Sequence, residues 1–256
     1  MNVTYPDGEI VELLFDERLH SYKLGEGIVP SATKVLDIIS KPALVPWALK
    51  VGVNWLEKNV FQDEESSSKN TKIYKSSMGL DNIIKGVKSA YRSSSKDALN
   101  IGTITHDWVE GAIKWKLNGG EMPKMPKQEE AQNSISAFRK WIAANNVEWL
   151  SSEEKVYNRK DGYAGTLDAR AHINGEYCVI DWKTSKAIYP EYHLQVAAYA
   201  KAVEDMHGKP VDATYILRCD KASGRFEACR STDIDKDYQA FLAALILYRR
   251  LKEIGR

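Results

Sequence analysis

Residues 162–184 read GYAGTLDARAHINGEYCVIDWKT, and this stretch decides the fold. From Tyr163 to Ile173, apolar and polar side chains alternate, which is the period of a half-buried β-strand. The Asn-Gly pair at 174–175 is a strong signal for a tight hairpin turn. Residues 176–184 then predict a second strand. The stretch therefore predicts an antiparallel hairpin at the centre of a sheet.

Two carboxylates and a lysine come together on this predicted hairpin. Asp181 and Lys183 are two residues apart on a strand, so they share a face, and the turn places Asp168 on the neighbouring strand. Carboxylate oxygens are the ligands that Mg²⁺ and Mn²⁺ prefer. The alternative interpretation is a surface ion pair of little energetic value. Charges in an otherwise apolar run are costly unless they are used or paired, which favours a metal-assisted phosphodiester hydrolase.

Three segments carry a resemblance to a known family: GTLD at 165–168, VIDWKTSK at 179–186 and QVAAY at 195–199. Together they resemble the PD-(D/E)xK nuclease superfamily, in its RecB-like exonuclease branch. The likeness is to phage-type exonucleases and to mitochondrial genome maintenance exonucleases. One departure is that Leu167 stands where the motif name has proline.

The resemblance implies a role for each matching residue. Lys183 would be the catalytic lysine, acting with the catalytic carboxylates. The metal ligands would be Asp168, Asp181 and the backbone carbonyl of Trp182. The residues that match the QxxxY element, and would help to place DNA, are Gln195 and Tyr199.

A second motif lies upstream, in the segment GTITHDWVE at 102–110. His106 and Glu110 are four residues apart, so they share one face of a predicted helix. A lone histidine on a helix is usually structural. The GxxxH pattern resembles the first motif of the same nucleases, which implies that His106 is a metal ligand and makes Glu110 a further candidate. The resemblance also makes Glu153 a candidate, and an imidazole beside carboxylates is compatible with Mn²⁺.

The segment VPSATKVL at 29–36 resembles the N-terminal element of the phage-type enzymes. Ser31 is a good helix N-cap, and we predict that a helix follows it. Ser31 and Thr33 are candidates for holding a DNA phosphate at the start of that helix. The simpler interpretation of both residues is helix capping.

Composition sets limits on the class of protein. The chain has 256 residues, 43% of them hydrophobic, and a formal net charge of +1, so a nucleic-acid enzyme of this kind must cluster its basic residues. Its three cysteines are too few and too scattered for an iron–sulfur cluster, and they predict a reducing cytoplasm, in the bacterial host if the chain is phage-encoded. No apolar run approaches the length of a membrane span, so no membrane partner is expected.

The region between the motifs is less informative. Residues 62–74 are polar and serine-rich and predict a loop. Leu80–Tyr91 predicts an amphipathic helix with Lys85 and Lys88 between its apolar positions. One interpretation is a basic arch over single-stranded DNA. The other is an ordinary helix with solvated lysines.

We therefore expect an α/β fold with a PD-(D/E)xK restriction-endonuclease-like core. A mixed, mainly antiparallel sheet in 151–256 is flanked by helices, and 1–150 forms strands and a mostly helical part. The expected function is a Mg²⁺- or Mn²⁺-dependent DNA exonuclease of phage recombination, repair or degradation. The resemblance adds a single-strand annealing protein as a partner. The alternatives are a structure-specific or restriction-like endonuclease, a non-catalytic DNA-binding module, and an iron–sulfur CRISPR-adaptation nuclease. The last would require a set of cysteines that this chain does not have.

Overall fold

The computed structural model describes residues 2–16, 21–39, 44–63, 72–74, 78–220 and 223–255. The chain divides into two compact units. One comprises Met1–Ile39 and Ile101–Arg256, and the other comprises Ser40–Asn100. Of the predicted loop at 62–74, residues 64–71 lie outside the described residues.

The chain begins with a four-stranded antiparallel sheet whose strands follow one another in chain order. The strands are β1 (Asn2–Thr4), β2 (Ile10–Asp16), β3 (Ser21–Leu24) and β4 (Gly27–Val29). Along β2, Val11 and Leu13 are buried whereas Leu14 is exposed, as the period of a half-buried strand requires. The sheet therefore turns one face towards the core.

A short helix follows, α1 (Ala32–Leu36). The hydroxyl of Ser31 accepts a hydrogen bond from the backbone N–H of Lys34 at 3.1 Å, which confirms the predicted N-cap. Ala32, Val35 and Leu36 are buried, so the helix is held by tertiary packing, since five residues are too few to be stable alone.

The Ser40–Asn100 unit contains α2 (Leu44–Asn59), β5 (Phe61–Asp63), β6 (Lys72–Tyr74) and the first half of α3 (Leu80–Asn118). A Cβ at Gly86 on α3 would lie 2.1 Å from the Trp55 ring of α2, so any larger residue there would have to displace that ring. The sequence predicted a helix at 80–91 and a separate helix that carries His106 and Glu110, and this separation was wrong. They form one helix because the intervening RSSSKD contains neither proline nor glycine.

The central sheet follows α4 (Glu129–Ala144) and has five strands in the order β11-β10-β9-β8-β7. The strands are β7 (Val147–Asn158), β8 (Tyr163–Ile173), β9 (Glu176–Lys183), β10 (Ala213–Cys219) and β11 (Phe226–Ser231). Only β9 and β10 pair in parallel, so the predicted mixed, mainly antiparallel sheet is confirmed.

Two further helices complete the sheet's surroundings. α5 (Pro190–His207) connects β9 to β10, as a parallel pair requires a crossover, and α6 (Ile234–Ile254) packs beside α5. Val179 belongs to the apolar core that includes both helices, whereas Ile180 belongs to a second core with α3 and α4. The sheet is thus flanked by helices, which confirms the expected α/β class.

None of the helices in the described ranges is both long and apolar enough to cross a lipid bilayer.

Candidate metal centre and active site

The site forms where the two strands of the central hairpin part. The pairing of β8 with β9 ends at Ala169 and Ile180, so that Asp168, the next residue of β8 towards its N-terminus, has no partner on β9. The Asp168 carboxylate Oδ2 instead accepts a hydrogen bond from the backbone N–H of Trp182 at 2.7 Å. A side-chain oxygen thus replaces a carbonyl of the ladder, and the separated strands leave room for other side chains.

Three side chains of metal-binding type meet at this opening: His106 from α3, Glu153 from β7 and Asp168 from β8. One ligand atom from each lies within 4.8 Å of the other two. His106 Nδ1 is 3.7 Å from Asp168 Oδ1. The set of one imidazole and two carboxylates suits a divalent cation such as Mn²⁺ or Mg²⁺.

Glu153 joins this set through an unusual backbone conformation. Its φ is 49°, in the left-handed region that residues other than glycine rarely adopt. Its neighbours Ser152 and Glu154 pair with Ala169 and Leu167, whereas Glu153 itself makes no ladder pair opposite Asp168. Strain of this kind is common at functional sites, because the surrounding structure must maintain it.

Burial and crowding shift the protonation of all three groups. Burial, reinforced by the charges of Asp168 and Glu110, raises the pKa of Glu153 to about 7. Burial and the charge of Asp181 raise the pKa of Asp168 well above its usual range. Burial lowers the pKa of His106, so its ring is neutral and has a lone pair for a ligand bond. A cation placed among these groups would relieve the repulsion between the carboxylates.

Asp181, the other carboxylate predicted to bind metal, forms an ion pair with Lys183. Its Oδ2 is 2.6 Å from the Nζ of Lys183, and the residue is only 2% exposed. Burial alone would lower the pKa of Lys183, but the carboxylates of Asp181 and Asp168 outweigh it and raise that pKa. Lys183 is therefore a charged ammonium. The backbone carbonyl of Trp182 stays a predicted ligand, while the N–H of the same residue donates to Asp168.

The QxxxY residues, Gln195 and Tyr199, form a hydrogen-bonded chain that begins at Lys183. Gln195 Oε1 accepts a hydrogen bond from Lys183 Nζ at 2.9 Å, and Gln195 Nε2 donates to Thr33 Oγ1 at 2.8 Å and to the Tyr199 hydroxyl at 3.1 Å. Gln195 and Tyr199 are buried, and the ring of Tyr192 lies 5.0 Å from the Lys183 nitrogen. Gln195 thus contacts Lys183 directly, and Tyr199 contacts Gln195. Their contact with DNA stays a prediction.

A cavity of about 700 Å³ opens beside Glu153. It is lined by residues from the N-terminal sheet, α1, α3 and the β7–β8 edge. Its basic residues are Lys34, Lys114 and Lys155, and its other polar residues include Ser31, Thr33, Glu110 and Thr166. Glu110 forms an ion pair with Lys114. Asp37, which also lines the cavity, pairs with Lys34, so the cavity combines candidate metal ligands with three lysines of which two are paired.

Sequence reasoning missed Arg218, which anchors the segment after Lys183. Its guanidinium is 3% exposed and donates to the carbonyls of Ser185 at 3.3 Å and Lys186 at 2.9 Å. It also bonds to Glu227, its partner across the β10–β11 pair. The signal was available, because a charge at the end of the apolar run VDATYILR needs buried partners.

The chain matches no family model and no curated protein. It is similar to the crystal structure of an alkaline exonuclease, LHK-Exo, from Laribacter hongkongensis, at 14% identity and a TM-score of 0.30, over 58% of this chain and 84% of that chain. The structure of LHK-Exo in complex with dAMP has 16% sequence identity to this chain and a TM-score of 0.29, with the same coverage of both chains. The structure of a phage related exonuclease from Haemophilus somnus 129PT has 12% sequence identity and a TM-score of 0.31, and the match covers 58% of this chain and 83% of that chain.

Proposed function

We propose that this protein is a divalent-metal-dependent deoxyribonuclease that acts as a DNA exonuclease. One observation carries the proposal: the ligand atoms of His106, Glu153 and Asp168 converge within 4.8 Å, beside the ion pair of Lys183 and Asp181. A metal-binding set next to a half-buried ammonium provides the groups that phosphodiester hydrolysis needs.

The residues present fit Mg²⁺ or Mn²⁺. Asp168 and Glu153 offer carboxylate oxygens whose pKa values are raised by burial and by the repulsion of neighbouring carboxylates, which a cation would relieve, and neutral His106 offers a nitrogen. When bound, such an ion polarises the phosphodiester and acidifies water. Asp181 and Glu110 are the nearby carboxylates that would complete the ligand set.

The chain's own groups have distinct roles in this proposal. Lys183 presents a fixed positive charge to the phosphate, where negative charge develops during the reaction. Asp181 and Gln195 hold the lysine from two directions, at 2.6 and 2.9 Å, so little reorganisation is needed. Ser31, Thr33 and the cavity lysines bind the phosphates of the strand that leads to the site.

The test uses linear DNA labelled at either end, in single- and double-stranded form, beside a covalently closed circle. Each substrate is incubated with Mg²⁺, Mn²⁺ or EDTA, with wild type and Lys183→Ala compared. We expect metal-dependent loss of linear DNA with circles spared, and at least a roughly 100-fold lower rate for the variant.

Each other outcome has a defined meaning. Cutting of the closed circle would replace the exonuclease by an endonuclease with the same site. Full activity in EDTA, or in Lys183→Ala, would overturn the mechanism. DNA binding without cleavage under any metal would leave a non-catalytic DNA-binding protein.

A further inference from the structure

Four basic residues on α3 recur at helical spacing in the Ser40–Asn100 unit: Lys85, Lys88, Arg92 and Lys96. Intervals of three and four residues place them on one face of the helix. Eleven residues of helix rise by about 16 Å, so the four charges follow one another along three turns. We call these four residues the basic stripe.

The basic stripe is exposed along its whole length. Among the residues that the structure describes, none of the four forms an ion pair. Like charges at these intervals destabilise a helix by roughly 0.2–0.5 kcal/mol per pair. A polyanion bound along the stripe would offset this repulsion.

The net charge of the Ser40–Asn100 unit also favours binding of a polyanion. Its sixty-one residues contain ten Lys and Arg against six Asp and Glu, a net charge of +4. The whole chain carries only +1, with 36 basic and 35 acidic residues, so the remainder is net negative. The excess positive charge is therefore concentrated in this unit, as binding to nucleic-acid phosphates requires.

We propose that the basic stripe is a second nucleic-acid contact, which binds the phosphate backbone of the DNA substrate independently of the candidate metal centre. The inference rests on the proposed function in that it takes DNA as the polyanion. A strand carries a phosphate about every 3.4 Å in B-DNA, so a 16 Å stripe meets several phosphates in succession. Charge contacts of this kind hold DNA without reading its sequence.

The test changes all four residues to glutamine (K85Q/K88Q/R92Q/K96Q) in the full chain. The matched control removes four exposed charges from the other unit (K124Q/K127Q/R139Q/K140Q). Binding of a fluorescent single-stranded oligodeoxynucleotide is measured against salt concentration, with Lys183→Ala in every protein and EDTA present. We expect the slope of log K against log salt to become shallower by about 3 for the stripe variant, and by less than about 1 for the control.

A second measurement separates this contact from the active site. With Lys183 restored and metal added, hydrolysis of thymidine 5′-(4-nitrophenyl phosphate) reports the site alone, because a small ester with one phosphate cannot follow a row of four charges. We expect the stripe variant to cleave it as wild type does, while its KM for DNA rises roughly tenfold or more.

The two proposals can fail separately. Equal salt slopes for the stripe variant and the control, with wild-type cleavage of DNA intact, would overturn the basic stripe alone. A wild-type protein that neither binds nor cleaves DNA would overturn the proposed function, and the stripe with it.

Discussion

The amide oxygen of Gln195 lies 2.9 Å from the ammonium nitrogen of Lys183, and the amide nitrogen of the same residue contacts Thr33 and Tyr199. One buried amide therefore connects the lysine of the central sheet to the helix after it and to the N-terminal segment. Because the amide uses both its oxygen and its nitrogen, its orientation is fixed by partners on either side.

The first prediction concerns this amide. Gln195→Leu removes the acceptor and leaves Lys183 held by Asp181 alone, so we expect kcat for DNA cleavage to fall roughly tenfold to 100-fold. KM for DNA should change little, because neither Gln195 nor Lys183 contacts the part of the DNA that lies away from the cleaved bond. Metal affinity should also change little. Steady-state kinetics separate the two parameters. An unchanged kcat in a folded variant would show that Asp181 suffices to orient the lysine.

The second prediction concerns the metal set. We expect Mn²⁺ to bind wild type and raise its melting temperature, since a ligand that binds only the folded state stabilises it. Glu153→Gln and His106→Ala should each weaken that affinity roughly tenfold or more, as measured by calorimetry. Glu148→Gln is the matched control, because Glu148 is exposed on the same strand. Equal affinity in Glu153→Gln and the control would exclude Glu153 as a ligand.

The third prediction concerns Gly165, in the GTLD segment. A Cβ at this position would lie 2.4 Å from the Tyr199 ring, so Gly165→Ala must displace the ring that contacts Gln195. We expect a loss of about 1–3 kcal/mol in the free energy of unfolding, measured with urea, together with lower activity.

The control for that variant is Gly79→Ala, where nothing lies within 4 Å of the added Cβ. Replacing the ring as well, in Gly165→Ala/Tyr199→Leu, should recover part of the stability by making room. If the double variant is less stable than the sum of the single changes, the steric explanation is wrong.

The fourth prediction concerns the pH dependence of stability. Burial alone would raise the pKa of Glu154, but the hydrogen bond with His207 and the charge of Arg170 outweigh it and lower that pKa to about 2. A depressed carboxyl pKa stabilises the fold above the unfolded value near 4.5, and the contribution is lost as pH falls through 4.5 towards 2. The shift corresponds to about 3 kcal/mol at neutral pH.

We therefore expect Glu154→Gln to be less stable than wild type at pH 7, with the difference shrinking as pH falls below about 4.5. Urea unfolding across this range measures it, and Glu148→Gln again serves as the control on the same strand. A difference between wild type and Glu154→Gln that stays constant from pH 7 to pH 3 would contradict the assigned ion pair.

The hairpin was predictable because its signals are local. The alternation from Tyr163 to Ile173 and the Asn-Gly turn reflect a period of two and a φ requirement, and both can be read from neighbouring residues. The observed β8 has the predicted bounds. The same local reasoning failed for α3, because a polar, serine-rich interval does not interrupt a helix that packing supports on either side.

The sequence by itself determined the side chains available for chemistry and the faces on which Asp181 and Lys183 stand. Tertiary structure alone decided which of them meet. His106 lies sixty-two positions before Asp168, and Glu153 reaches the site only through a left-handed φ that no local pattern announces. Gln195 was recognisable as a motif residue, but its bond to Lys183 depends on how α5 packs on the sheet. Local periodicity fixes direction along one element, whereas distance between elements is set by packing of the whole core.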